Sequence, residues 1–116
     1  MKLTTTTTDI NGNPTIEVYL GWNRYVKASL TDANDAALTI DDIDKCSVSI
    51  YQYTGGSVLA SPVPLLLNQT NNIGEFIFNI TPAMTTLLGR GTFIIEIKYT
   101  ENTLEIDGIK GGLIVE

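Results

Sequence analysis

The chain of 116 residues contains no histidine and a single cysteine, Cys46. Histidine is the commonest general base and the usual ligand of zinc and iron, so its absence removes the Ser-His and Cys-His nucleophile systems and the usual metal sites. One cysteine cannot form an internal disulfide. Because Cys46 lies on the apolar phase of a strand pattern, we expect a buried, unreactive thiol. The sequence therefore predicts a protein that is not an enzyme, without catalytic residues and without a cofactor.

Positive charge is also scarce: seven lysines and arginines stand against thirteen aspartates and glutamates, for a net charge of −6. The cations are scattered, whereas binding to a phosphate backbone needs them clustered. The longest apolar runs, such as residues 65–67, are far too short to cross a bilayer. Threonines follow Lys2 and Leu3 at once, so the N-terminus does not resemble a signal peptide. We expect no nucleic-acid partner, no membrane partner and no export signal.

What the sequence does contain is alternation of apolar and polar residues with a period of two, as in β-strands. The clearest case is residues 92–100, where Phe93, Ile95 and Ile97 share one phase. Residues rich in Gly, Pro, Asn and Asp separate these segments, as turns do. The other predicted strands are residues 15–20, 25–30, 46–53, 57–60, 65–67, 75–80, 103–106 and 109–115, with a turn at 107–108 and a sheet crossover or edge at 61–64. Such spacing predicts an all-β antiparallel sandwich of seven to eight strands.

One short helical turn is predicted near residues 82–88. Thr81 is a suitable N-cap, Pro82 fits the first helical position, and Gly89 suits the left-handed conformation beyond the end. Three apolar side chains fall on one face of this turn: Met84, Leu87 and Leu88.

A threonine run gives residues 1–13 a composition unlike that of the rest of the chain. Threonine favours extended backbone, but a run of it has no apolar phase to bury. We therefore predict an N-terminal arm at 1–13, either mobile or pairing at a sheet edge, and a sandwich domain at 14–116. Strand addition to a neighbouring protein is the interaction such an arm suits. Its candidate interaction residues are Thr4, Thr5, Thr6, Thr7 and Thr8.

Aromatic residues provide a second candidate interaction surface. Trp22, Tyr51 and Tyr53 could form an exposed platform for a protein or a sugar, together with Tyr19 and Tyr25. The competing interpretation is that these rings pair across strands or close one end of the core, as aromatics do in many sandwiches.

An acidic segment, residues 32–44, is the only candidate metal site in the sequence. Calcium prefers clustered oxygen ligands. The EF-hand template fails here, because Ala36, Ala37 and Ile43 occupy positions that require a ligand, glycine and glutamate. The interpretation we adopt is that these aspartates cap turns by bonding their own backbone, so no metal site is predicted; calcium binding stays open as an alternative.

The order of elements from residue 24 onward resembles the immunoglobulin-like domain at the start of phage baseplate upper proteins and related phage virion proteins. The segments that carry this resemblance are residues 25–32, 37–43, 48–51, 74–80, 91–99 and 112–115. The resemblance implies an immunoglobulin-like sandwich and no catalytic residues. It also implies a virion localisation, synthesis in the host cytoplasm, and other virion proteins as partners in an oligomeric or symmetric assembly.

These observations favour a non-enzymatic structural subunit of a phage virion, either a tail or baseplate component or a capsid decoration protein. Such a subunit would act through protein–protein contacts. The alternative that the sequence leaves open is a small carbohydrate- or protein-binding module of the adhesin type.

Overall fold

The computed structural model describes residues 1–3, 7–8, 12–32 and 34–116, with backbone alone at 7–8. The elements in chain order are β1 (Lys2–Leu3), β2 (Thr7–Thr8), β3 (Pro14–Val18), β4 (Arg24–Ser29), a 3-10 turn (Ile43–Lys45), β5 (Cys46–Tyr51), β6 (Leu65–Leu66), β7 (Glu75–Ile80), α1 (Pro82–Leu88), β8 (Gly91–Glu101) and β9 (Leu104–Val115). Within the described ranges, no helix is long and apolar enough to cross a bilayer.

The strands form two sheets, in the orders β1-β4-β7-β6 and β2-β3-β9-β8-β5. Seven strands remain when β2 and β3 are set aside: β1, β4, β5, β6, β7, β8 and β9. Counted from one to seven in chain order, strands 1, 2, 5 and 4 (β1, β4, β7 and β6) form one sheet, and strands 3, 6 and 7 (β5, β8 and β9) form the other. That is the strand arrangement of an immunoglobulin constant-type domain. The predicted all-β, immunoglobulin-like sandwich is therefore confirmed.

One strand pair departs from the predicted antiparallel arrangement. Strand β3 pairs with β9 in parallel, in the register Thr15 with Gly112 to Val18 with Val115. Parallel neighbours need a long connection between them. Here that connection is nearly the whole domain, because β3 lies close to the start of the chain and β9 at residues 104–115.

The predicted alternation gives the core. On β8 the buried phase is Phe93, Ile95, Ile97 and Tyr99, and on β7 it is Phe76, Phe78 and Ile80. Each buried Val, Ile or Phe side chain contributes about 1.5–3 kcal/mol by leaving water. The same phase continues through β4 and β5 and fills the space between the two sheets.

Helix α1 has the predicted caps. The Thr81 side chain accepts a hydrogen bond from the Met84 amide at 3.2 Å, Pro82 opens the helix, and Gly89 follows it with φ of 76°. The expected apolar face is correct in part: Met84 and Leu88 are partly buried, but Leu87 is 71% exposed, and the fully buried side chain is Thr85. A helix of two turns touches the sandwich along one narrow line, and this line runs through Thr85.

Two predicted strand boundaries are corrected. No turn occurs at Asp107 and Gly108; β9 continues through them, and a bulge between Tyr99 and Thr100 of the paired strand absorbs one extra residue. Residues 57–60 form no strand, and a single bridge joins Ala60 to Ile50. The segment 61–64 passes from β5 in one sheet to β6 in the other, as its two prolines predict.

The N-terminal residues pair within the domain. Lys2–Leu3 lies at the edge of the first sheet beside β4, and Thr7–Thr8 lies at the edge of the second sheet beside β3. The Met1 amino group contacts the Asp107 carboxylate at 2.7 Å in a shielded position. The described part of the predicted arm thus contributes one strand to each sheet.

Candidate functional site

One end of the sandwich gathers several loops and the helix. In the first sheet, the start of β4 lies beside the end of β7, because Arg24 pairs with Ile80. In the second sheet, the start of β8 lies beside the end of β9, because Gly91 pairs with Val115. Helix α1 connects β7 to β8 here, and β3 and β5 end here too. We call this region, residues 19–24, 51–59 and 81–91, the helix end.

An aromatic pair projects from the turn after β3. The rings of Tyr19 and Trp22 are 5.3 Å apart between centroids and inclined at 56°. The two side chains are 56% and 64% exposed. The Trp22 amide donates to the Tyr19 carbonyl at 3.0 Å, and Gly21 between them has φ of 83°, a conformation that favours glycine. The turn thus holds two large rings against each other at the surface.

A buried hydroxyl attaches this aromatic turn to α1. The Gly21 amide donates to Thr85 Oγ1 at 2.9 Å, and the same hydroxyl donates to the Pro82 carbonyl at 3.0 Å. Thr85 is fully buried. Thr85 does not stand out in the sequence, because a threonine inside a helix gives no periodic signal. The only hint is its position three residues after Pro82, where a hydroxyl can reach back to the backbone.

Beside the helix lies an open cleft of about 360 Å³, lined by Gln52, Leu59, Leu87, Leu88, Arg90, Gly91, Thr92 and Phe93. Leu59 and Leu87 are 41% and 71% exposed, so the cleft has an apolar wall that faces solvent. Arg90 forms no ion pair with any described residue. The helix end therefore combines exposed apolar surface with an unpaired guanidinium.

The predicted aromatic residues do not form one platform. Trp22 and Tyr53 both lie at the helix end, and Tyr53 is 67% exposed. Tyr51 is only 8% exposed, so the expectation that it stands out on the polar face of β5 is wrong. Tyr51 pairs with Ile94 of the neighbouring strand β8. Burial raises the pKa of Tyr51 to about 12, and a hydrogen bond to the Glu96 carboxylate adds to this rise.

Glu96 is the centre of a charge network on the same outer face. Its carboxylate contacts Lys98 at 3.1 Å and Lys110 at 3.4 Å. Partial burial favours its neutral form, but hydrogen bonds from Tyr51 and Lys98 prevail and hold the pKa of Glu96 below its usual value. The network secures Tyr51 in place and leaves its hydroxyl engaged.

Of the predicted threonines, Thr7 and Thr8 lie apart from the helix end. Thr7 pairs with Thr15 and Thr8 with Pro14, at the start of β3, whereas the aromatic turn follows its other end. Thr4, Thr5 and Thr6 fall outside the described residues.

The acidic segment lies at the opposite end of the sandwich and forms turns. Asp32 Oδ1 accepts from the amides of Asn34 and Ala36 at 2.8 and 2.9 Å, and Asp42 Oδ1 accepts from the Asp44 amide at 3.0 Å. These are the Asx-type bonds that the sequence predicted. Asp35 pairs with Lys2, and Asp41 pairs with Lys45. In the described ranges, no three Asp, Glu, Cys or His residues are grouped as metal ligands.

Cys46 is 5% exposed. Burial, reinforced by the charge of Asp42, raises the pKa of its thiol to about 11. The predicted burial of Cys46 is confirmed, and a raised pKa makes the thiolate scarce at neutral pH, as the prediction of an unreactive thiol requires.

No protein-family model matches the chain, and no curated protein is significantly similar to it in sequence.

Proposed function

We propose that the protein is a non-enzymatic structural subunit of a phage virion, in the tail, baseplate or capsid surface, and that it acts through protein–protein contacts. The observation that carries the proposal is the exposed apolar surface of the helix end. Its large exposed side chains are Tyr19, Trp22, Tyr53, Val58, Leu59 and Leu87.

Isolated apolar residues are common on protein surfaces, but their concentration at one end of a small domain is typical of a contact surface. Tryptophan, tyrosine and arginine are the residues that most often dominate the energy of protein interfaces. The helix end offers Trp22, Tyr19 and Arg90, whose guanidinium forms no ion pair within the described part of the chain. The resemblance to the immunoglobulin-like domains of phage baseplate upper proteins supports the virion as the place of this assembly.

The first test is to sediment a lysate of the source infection on a density gradient and to probe each fraction for this chain. We expect the chain to migrate with intact particles. Recovery solely in the light, soluble fractions would overturn the proposed function.

Variants then test the surface itself. Trp22→Ser removes an exposed ring and should reduce the amount of chain that migrates with particles by about tenfold, as loss of an interface anchor does. Val63→Ser is the matched control, because Val63 is 72% exposed but lies on the crossover outside the helix end. Equal losses for both variants would argue against the helix end as the contact.

The aromatic pair also favours a second candidate function, a carbohydrate-binding module. Sugars stack their apolar faces on exposed aromatic rings, and Tyr19 and Trp22 present two such rings. A sugar that binds the folded protein must raise its melting temperature, and above its Kd the rise grows with the logarithm of the ligand concentration. A panel of mono- and oligosaccharides in a thermal-shift assay checks this, with Trp22→Ser as the variant that must lose the response.

A further inference from the structure

The hairpin between β8 and β9 projects from the end of the sandwich opposite the helix end. Its loop is two residues long, Asn102 and Thr103, since Glu101 pairs with Leu104. Leu104 and Ile106 are 65% and 43% exposed, and the exposed Glu105 lies between them. We call residues 101–106 the hairpin tip. It is an apolar projection with a central carboxylate.

The cleft at the helix end has the complementary character. Its wall carries the exposed Leu59 and Leu87, and Arg90 stands at its border. A cleft of about 360 Å³ has room for one or two aliphatic side chains. The molecule therefore carries an apolar projection at one end and an apolar recess at the other.

The charges of the two surfaces also match. Arg90 and Glu105 make no ion pair with any described residue, whereas Glu101 of the same hairpin is already paired with Lys45 at 3.2 Å. The acidic turns at Asp32 and Asp42 surround the hairpin end, and both arginines of the chain, Arg24 and Arg90, lie at the helix end. Arg90 beside the cleft and Glu105 in the hairpin tip are thus charges of opposite sign that could meet across a contact.

Strand β8 fixes the distance between the two surfaces. It starts at Gly91 in the cleft and ends at Glu101 in the hairpin tip. Ten strand steps at about 3.3 Å each make roughly 33 Å, close to the longest dimension of the chain, 36 Å. The cleft and the hairpin tip therefore lie at opposite ends of the long axis of the molecule.

We propose that the partner of the helix-end cleft is a second copy of this chain, whose hairpin tip inserts Leu104 into the cleft and places Glu105 against Arg90. This inference rests on the proposed assembly function and names the partner for that surface. The contact is heterologous, because different surfaces of the two copies meet. Such contacts repeat from copy to copy and build rings when the rotation closes or filaments when it does not.

Sedimentation velocity of the purified chain over a range of concentrations tests self-association. We expect the average mass to rise with concentration for the native sequence. Leu104→Ser should raise the concentration at half-association by about tenfold, as loss of a central apolar anchor does. Val63→Ser, equally exposed but on the flank, should leave it unchanged. A native chain that stays monomeric at millimolar concentration overturns the inference.

A charge exchange identifies the two surfaces. Arg90→Glu and Glu105→Arg should each prevent self-association, because each variant brings two like charges together. An equimolar mixture of the two variants should associate again, since every contact in an alternating array then joins opposite charges. A mixture that remains monomeric while both variants stay folded by circular dichroism contradicts the assignment of these surfaces.

Failure of this inference and failure of the proposed function give different results. A chain that migrates with particles but stays monomeric when pure retains the virion function and overturns the self-contact. A chain that self-associates as described but never migrates with particles retains the self-contact and overturns the virion function.

Discussion

The hydroxyl of Thr85 shows how much of the helix end depends on one buried atom. It accepts from the Gly21 amide and donates to the Pro82 carbonyl, so it joins the aromatic turn to the first turn of α1. The bond from the Gly21 amide is partly buried, so an amide that loses this acceptor keeps part of the cost of leaving water. The exposure of Tyr19 and Trp22 at fixed positions therefore depends on a residue that no partner touches.

Thr85→Val should lower the free energy of unfolding by about 1–2 kcal/mol, because the shape is kept while the Gly21 amide loses its acceptor. Urea denaturation measures the change. The matched control is the exposed neighbour, Thr86→Val, which should alter stability by less than about 0.5 kcal/mol. Equal effects of the two substitutions would show that the hydroxyl has no special role.

Two tyrosines make the protein sensitive to alkali. Burial comes first among the causes that raise the pKa of Tyr51 and Tyr99 to about 12, and the carboxylates of Glu96 and Glu101 add to it. A group whose pKa is higher in the folded state than in the unfolded state stabilises the fold, and this stabilisation is fully present at pH values below the unfolded pKa of 10.0. That stabilisation is lost as pH rises from there towards 12.

We therefore expect the free energy of unfolding to fall steeply between pH 10 and about 12, the range set by these two pKa values. The Tyr99→Phe variant should show a shallower fall, since it removes one of the two protons that the fold retains. Chemical denaturation at a series of pH values provides the curves. A native-like slope in the variant would contradict the role of Tyr99.

At the scale of elements, the β8–β9 hairpin stores backbone strain at its turn. Asn102 and Thr103 have φ of 50° and 68°. Positive φ at both positions of a two-residue loop is characteristic of a type I′ turn, and asparagine tolerates it whereas a β-branched threonine does not. The hairpin tip is thus a fixed, tight projection whose turn is not optimised for stability.

Replacing Thr103 with glycine should raise the free energy of unfolding by about 1 kcal/mol, because glycine adopts positive φ without a steric penalty. Thr103→Ala should recover only part of this gain, since its Cβ remains. Thermal unfolding of the two variants checks the order. A glycine variant less stable than the native chain would mean that the strain is absent.

The elements show which parts of the fold a sequence discloses. Strands β4, β7 and β8 were predictable because buried and exposed side chains must alternate along a half-buried strand. The alternation runs without interruption around the buried Val26, Phe78 and Ile95. The exposure of Tyr51 was predicted wrongly, because alternation tells which face a side chain occupies but not whether neighbours such as Ile94 and Glu96 cover it.

The cleft and the hairpin tip escaped prediction for a related reason. Leu87 was assigned to a buried face because helical spacing aligned it with Met84, yet α1 is too short to bury a whole face. Leu104 belongs to a strand pattern, but it lies beyond the reach of the facing sheet. An apolar residue remains exposed where the neighbouring element ends before it can cover that residue. The relative lengths and positions of packed elements decide this, and the local sequence does not contain that information.

At the scale of the whole molecule, the N-terminal segment is part of the sandwich. Lys2–Leu3 pairs with β4, and the Met1 amino group donates to Asp107 and to the Thr31 hydroxyl. A shielded ion pair with further hydrogen bonds is costly to break from one side. Residues 1–3 therefore connect the edge of the first sheet, at β4, to Asp107 beside the bulge in the second sheet.

Deletion of Met1 to Leu3 should lower the free energy of unfolding of the isolated protein by about 2–4 kcal/mol, because Asp107 loses its shielded partner and β4 loses an edge strand. Lys2→Ala should cost less than about 0.5 kcal/mol, since the ion pair of Lys2 with Asp35 is exposed. Calorimetry measures both. A deletion without effect on stability would show that these residues do not stabilise the sandwich and act, if at all, as an arm that contacts a neighbouring protein.

The position of β9 has a consequence for synthesis. This strand lies between β3 and β8 in the five-stranded sheet, so the strand that joins them leaves the ribosome after both of them. Until Val115 emerges, β3 and β8 are nascent edges with unpaired backbone, and edges of that kind invite pairing with other chains. A translation arrest or a nonsense mutation within residues 104–115 would thus release a chain that has most of its core residues but lacks the strand that closes its sheet, a species prone to aggregate.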